Sequence, residues 1–104
     1  MELGISTTAT SERSVIKVSG EVDISNADAL RDAINLAMDQ APKEVRLDFA
    51  NVGYIDSTGV GVLVGAARSA EEHAKQFSVV RAQPTVMRVV QLLGVDGEID
   101  ISAA

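Results

Sequence analysis

The side chains that could do chemistry gather at one short segment, Tyr54-Ile55-Asp56-Ser57-Thr58-Gly59. A serine nucleophile needs a base within hydrogen-bond reach. The single histidine, His73, lies sixteen residues beyond Ser57, which on a helix rising ~1.5 Å per residue is roughly 24 Å away. That spacing argues against a hydrolase, and His73 is expected in a last helical turn, complementing the negative helix end together with Lys75. Gly59, Gly61 and Gly65 open a helix after a strand, as phosphate-binding loops do, but they read G-x-G-x-x-x-G and no G-K-S or G-K-T follows. Nothing in the spacing of the acids establishes a catalytic pair or a metal site. The expectation is a chain that is not an enzyme and takes no cofactor and no metal.

Ser57 keeps two readings. Serine is a favoured N-cap, because its hydroxyl accepts a bond from an otherwise unpaired backbone N–H at a helix start. An exposed hydroxyl there is also accessible to a kinase, and a phosphate added to it meets the positive end of the helix.

The elements that must position this corner follow from the hydropathy pattern. Leu3, Ile5 and Thr7 alternate with small residues, and after a polar run Val15-Ile16-Lys17-Val18-Ser19-Gly20-Glu21-Val22 reads as a second strand. Between Ser25 and Gln40, Leu30, Ala33, Ile34, Ala37 and Met38 fall at helical spacing. Ser25 with Asp28 forms an S-x-x-D start signal, and Pro42 disfavours helical geometry at Ala41. Glu44 to Phe49 alternates strictly, with Val45, Leu47 and Phe49 on one face and three charges on the other. The helix predicted from Ser57 is buried through its first half, and its three glycines imply close packing on a neighbour. Phe77 to Val80 is a short strand. Pro84 opens a last helix with Val86, Val89, Val90 and Leu93 on one face and Gly94 at its end, and Ile99-Asp100-Ile101 can close as an edge strand. The order ββαβαβα(β) predicts a small α/β domain spanning 1–104, with a mixed four- to five-stranded sheet and helices packed against it.

Composition narrows the function classes. Nine basic and fifteen acidic residues leave a net charge of −6, the wrong sign for a phosphate-neutralising surface, and only Tyr54, Phe49 and Phe77 could stack on bases. Nucleic acid is therefore not an expected partner. With 46% hydrophobic and 23% charged residues the chain is too apolar for a solvated tail. It has no cysteine, which fits a reducing compartment. Met1-Glu2-Leu3-Gly4 shows no basic region ahead of an apolar stretch, and no apolar run reaches the ~18 residues of a membrane span. A cytoplasmic domain without a membrane partner is expected.

Taken in order, several short motifs resemble the STAS-domain family, and within it the bacterial anti-sigma factor antagonists. Gly20-Glu21-Val22-Asp23 is similar to the family's G-E-(L/V)-D, and the following helix carries Ala29-Leu30. Asp56-Ser57-Thr58-Gly59-Val60-Gly61 is similar to D-S-(S/T)-G-(L/V)-G, and Pro84-Thr85-Val86 through Leu92-Leu93-Gly94 resembles the closing helix. Many relatives end the second major helix on a Gly-Gly pair, where this chain has Glu72-His73-Ala74-Lys75-Gln76.

The resemblance implies partner switching. The unmodified antagonist binds an anti-sigma factor that is also a serine kinase and so frees the sigma factor; phosphorylation disables the antagonist, and a PP2C-type serine phosphatase restores it. The acceptor carries over to Ser57, and Asp23, Asp56, Ser57, Thr58 and Gly59 carry over to the partner-binding face. The free protein is expected to be monomeric. The alternative is a STAS scaffold or ligand-responsive subunit in which Ser57 only caps its helix.

Overall fold

Strand β2 (Arg13–Val22) organises the sheet, because Ser14, Ile16, Val18 and Val22 are buried while Arg13, Lys17 and Ser19 are exposed. In the computed structural model, which describes residues 2–40 and 42–103, β1 (Gly4–Ala9) pairs antiparallel with β2. Beyond β2, strands β3 (Glu44–Ile55), β4 (Gln76–Ala82) and β5 (Asp100–Ala103) follow in parallel, in the spatial order β1-β2-β3-β4-β5. The fifth strand thus forms, one residue later than its sequence pattern suggested. Helices α1 (Ala27–Met38), α2 (Ser57–Glu72) and α3 (Pro84–Leu92) make the three connections between parallel strands.

The core is the inward side of that register. Ile16, Leu47 and Val79 are matched across the three central strands and are fully buried, as are Leu30 and Ile34 of α1, Leu63 of α2 and Val86 and Val90 of α3. The alternate positions Lys17, Asp48 and Val80 share a register on the other side. Asp48 departs from the solvated charge expected there, since it is only 8% exposed. The guanidinium of Arg81 covers it, donating from Nε at 3.1 Å and also from Nη2, and Ala50 N–H donates to the same carboxylate at 3.1 Å. The Arg81 hydrogen bonds, ahead of the Ala50 N–H, hold the Asp48 carboxyl below its ordinary value of 3.8 against the opposing effect of burial.

Three local expectations need correction. The S-x-x-D signal at Ser25 and Asp28 does not start α1; the flanking residue is Asn26, which makes no side-chain cap bond to the helix. Asn26 instead accepts from Asp23 N–H at 2.9 Å and donates to Glu21 O at 2.8 Å, so its amide shapes the turn rather than the helix end. Lys75 does not serve the end of α2: its Nζ donates to Met38 O and Gln40 O at 2.5 and 2.6 Å, at the carboxyl end of α1. The extended chain after Phe49 continues to Ile55 as one strand, and two register shifts in the β2–β3 pairing absorb its irregularity. At the second shift Gly20 has φ +114, a conformation that glycine alone adopts cheaply. The proposed helix stop at Ala41 lies outside the described residues.

Where many relatives of the resembled family have glycines, α2 ends on His73 and then Ala74 at φ 54, with Lys75 N–H returning to Ala70 O at 2.8 Å. This is a left-handed helix end built on a residue with a Cβ. Ala74→Gly is expected to raise stability by about 1 kcal/mol, read as a higher chemical-denaturation midpoint at unchanged slope. Asp48→Asn is expected to lower stability at pH 7 by on the order of 1 kcal/mol. Because the folded carboxyl ionises below its unfolded value, its contribution is complete above pH ~4 and disappears as pH falls through the folded value. Parent and Asp48→Asn denaturation curves should therefore converge below pH ~4.

Candidate functional site

The site is the junction of two strand-to-helix connections at the carboxyl edge of the sheet. Val22 and Ile55, both fully buried, are register partners at the ends of β2 and β3, so α1 and α2 start side by side. Asp56 N–H donates to Val22 O at 3.1 Å, which fixes the chain as it leaves the sheet. The Asp56 carboxylate then faces two ways: Oδ1 accepts from Gly59 N–H at 2.9 Å and caps α2, and Oδ2 accepts from Ile24 N–H at 3.2 Å in the turn before α1.

This arrangement removes the capping reading of Ser57. Asp56 is the N-cap and Ser57 is the first residue of α2, so Ser57 does not carry the cap. Ser57 is exposed and Thr58 half-buried. Asp23 joins the corner through its neighbour Ile24. Hydrogen bonds from the Ser25 hydroxyl at 2.5 Å and Ser25 N–H at 2.9 Å hold the Asp23 carboxyl below its ordinary value. Gly59, expected on the binding face, is buried against the core. A Cβ there would sit 2.6 Å from Ile55 Cγ1 and 2.7 Å from Val22 Cγ1, so this glycine lets α2 approach the two strand ends.

The other two glycines reverse the close-packing expectation. A Cβ at Gly61 or Gly65 would meet nothing within 4 Å, and both line an open groove between α1 and α2. His73 stands at the far end of α2, with Nδ1 2.7 Å from Ser69 O. Ser57 and His73 are therefore not brought together.

Two exposed apolar residues flank the corner, of which the sequence pattern pointed to Tyr54 but not to Ile24. Ile24 is 78% exposed and Tyr54 46%, flanking the Asp56-Ser57 corner on the α1 turn and on β3. The signal for Ile24 was a bulky apolar residue in the otherwise polar turn Asp23-Ile24-Ser25-Asn26. Thr85, at the start of α3, also reaches this edge by donating to Gly53 O at 2.9 Å. Chemically, the corner presents an accessible hydroxyl at a helix start, two acids already engaged by donors, and an apolar flank.

Comparison with known proteins agrees with this architecture. A family model described as "Mlab, STAS domain" matches residues 5–101, and the chain belongs to the STAS domain family. It is similar to the anti-sigma-B factor antagonist of Staphylococcus aureus, 26% identical over 94 residues, covering 90% of this chain and 87% of that protein. The solved structure of the anti-sigma factor antagonist SpoIIAA in its unphosphorylated form superposes with a TM-score of 0.80 at 27% identity, covering 97% of this chain and 88% of that one. The phosphorylated form of the Bacillus cell fate determinant SpoIIAA superposes with a TM-score of 0.74 at 27% identity, covering 97% and 91%. Among the described residues no helix is long and apolar enough to cross a membrane.

The two classes of glycine in α2 should separate cleanly on substitution. Gly59→Ala is expected to lose about 1–3 kcal/mol by overpacking against Val22 and Ile55. Gly61→Ala, in open space on a helix, should gain up to ~1 kcal/mol. Thermal or denaturant unfolding of the two variants checks both signs.

Proposed function

We propose that this chain is a cytoplasmic anti-sigma factor antagonist that works by partner switching. The unphosphorylated form binds an anti-sigma factor serine kinase and releases the sigma factor. The kinase transfers the γ-phosphoryl group of ATP to Ser57 Oγ, the hydroxyl proton and ADP leave, and the modified antagonist loses its partner. A PP2C-type serine phosphatase hydrolyses the ester and restores binding. The STAS membership and the likeness to named antagonists support the class.

One observation carries the assignment to Ser57: the cap belongs to Asp56, so the neighbouring exposed hydroxyl is available for modification without loss of a structural bond. A phosphate adds about −1.5 to −2 charges, and at the first residue of a helix the dipole and free N–H groups favour an anion. The fold therefore tolerates the modification, and the switch acts at the interface. Asp23, Asp56, Ser57 and Thr58 form its polar part, with Ile24 and Tyr54 as apolar contacts.

Ser57→Ala is expected to fold with stability within about 0.5 kcal/mol of the parent, bind the kinase and gain no phosphate. Ser57→Asp should weaken kinase binding at least tenfold while changing stability by no more than about 1 kcal/mol. Intact mass after incubation with ATP and a candidate anti-sigma kinase from the same genome, followed by site mapping, reads the acceptor directly. A single phosphate on Ser57 supports partner switching. Binding by Ser57→Asp equal to the parent's overturns the interface mechanism, and no phosphate with any such kinase favours a STAS scaffold.

A further inference from the structure

The groove between α1 and α2 continues the line of the Ser57 hydroxyl. Ser57, Gly61 and Gly65 are spaced four residues apart and share one face of α2. Gly61 and Gly65, with the buried Val62 and Ala66, line the α2 side of the groove and Arg31, Ile34 and Asn35 the α1 side, and a Cβ at either glycine would meet nothing within 4 Å. The α1 residues Arg31 and Asn35 are likewise four apart, so the groove runs along both helices towards their starts. Arg31 is thus the cation that lines the groove headed by Ser57.

Its side chain reaches in the needed direction. Helical side chains lean towards the amino end of their helix, and Arg31 Nη1 lies 2.5 Å from Oδ1 of Asp28 in the first turn of α1. Because β2 and β3 are parallel neighbours ending at Val22 and Ile55, the first turns of α1 and α2 lie at the same edge of the sheet. The guanidinium thus points along α1 towards the sheet edge from which α2 also starts.

The present partner of Arg31 is easily exchanged. Its side chain is 50% exposed and that of Asp28 is 87% exposed, and an i,i+3 pair in that setting is weak and salt-screened. A phosphate carries up to twice the charge and accepts two parallel bonds from a guanidinium. A cation also offsets the like charge of the Asp56 and Asp23 carboxylates at the corner. Resting on the reading of Ser57 as the phosphoacceptor, we infer that Arg31 is an internal receptor for the Ser57 phosphate: it leaves Asp28, binds the phosphate across the α1–α2 groove, and withdraws the groove head from a partner. The phosphorylated state is then a defined closed arrangement of the same fold.

The test uses the full chain with phosphoserine incorporated at position 57 during translation, so that no kinase is required. Phosphorus NMR follows the second ionisation of the phosphate against pH in the phosphorylated parent, Arg31→Gln and Asp28→Asn. Arg31→Gln is expected to move the titration midpoint up by about 0.5–1 pH, a three- to tenfold gain in proton affinity. Asp28→Asn removes both the competing carboxylate and a like charge, and is expected to move it down. To separate these two effects, the double variant Arg31→Gln/Asp28→Asn should show a smaller downward step from Arg31→Gln than Asp28→Asn shows from the parent. Equal midpoints in the parent and Arg31→Gln, or a step at Asp28 unaffected by Arg31, overturn the inference. If Arg31→Gln does not fold by circular dichroism, Arg31→Lys replaces it and must still raise the midpoint. Failure of a kinase to modify the unphosphorylated chain at Ser57 would count against the acceptor reading and leaves this titration fully readable.

Discussion

The carboxylate of Asp56 is the interaction on which the corner depends. One oxygen holds Gly59 N–H and sets the start of α2; the other holds Ile24 N–H and sets the turn that precedes α1. A single side chain thus couples two connections separated by thirty-two residues in sequence. The coupling is useful only because both turns leave the sheet at the same edge, which the parallel pairing of β2 and β3 guarantees. An amide at this position could accept only one of these two bonds, since an NH2 donor would replace the other oxygen. The acid is therefore demanded by the geometry before any partner is considered.

Close packing makes the second half of the constraint. The bond from Gly59 N–H to Asp56 requires α2 to begin directly over Val22 and Ile55, and a Cβ at 59 would occupy the space those side chains fill. Glycine at 59 and aspartate at 56 are thus two parts of one device that presents residue 57 outward. Gly61 and Gly65 belong to a different logic. They leave a groove where larger residues would close it, at an expense in helix propensity that core packing does not require. The same α2 segment therefore carries glycine for burial at one position and for exposure at two others.

Much of this was legible in the sequence wherever periodicity and burial agree. The face of α1, most of that of α3 and the inward residues of β3 follow from spacing alone: Leu30, Ile34, Val45, Leu47, Phe49, Val86 and Val90 are all buried, whereas Leu93, expected on the α3 face, is the exposed C-cap of that helix. The misses share a physical origin in long-range pairing. Asp48 looked like a solvated strand charge because its cover, Arg81, lies thirty-three residues away. Lys75 looked like a cap for its own helix because Met38 O and Gln40 O are distant in sequence. At Asp56-Ser57 two good capping residues stand side by side, and propensity does not choose between them; the strand ending at Ile55 does. Ser25 lost to Asn26 in the same way, because the amide of Asn26 satisfies the turn from within.

Charge sign alone does not explain a switch at this corner. The unmodified corner carries Asp23 and Asp56 beside apolar Ile24, so a partner complementary to it would offer a basic rim, and an added phosphate would by Coulomb attraction strengthen that contact. Loss of binding on the proposed reading must instead come from space and desolvation. A partner fitted to a bare Ser57 hydroxyl has no volume for a phosphate, and a dianion buried without its own donors is expensive to strip of water. The ~1 kcal/mol that an exposed helix start returns to an anion is small beside the several kcal/mol that desolvating a dianion inside a contact costs. On the proposed reading, the phosphate is held best where a cation of this chain stands beside it. Whatever supplies that cation in the modified state competes directly with the partner for the same few ångströms of surface.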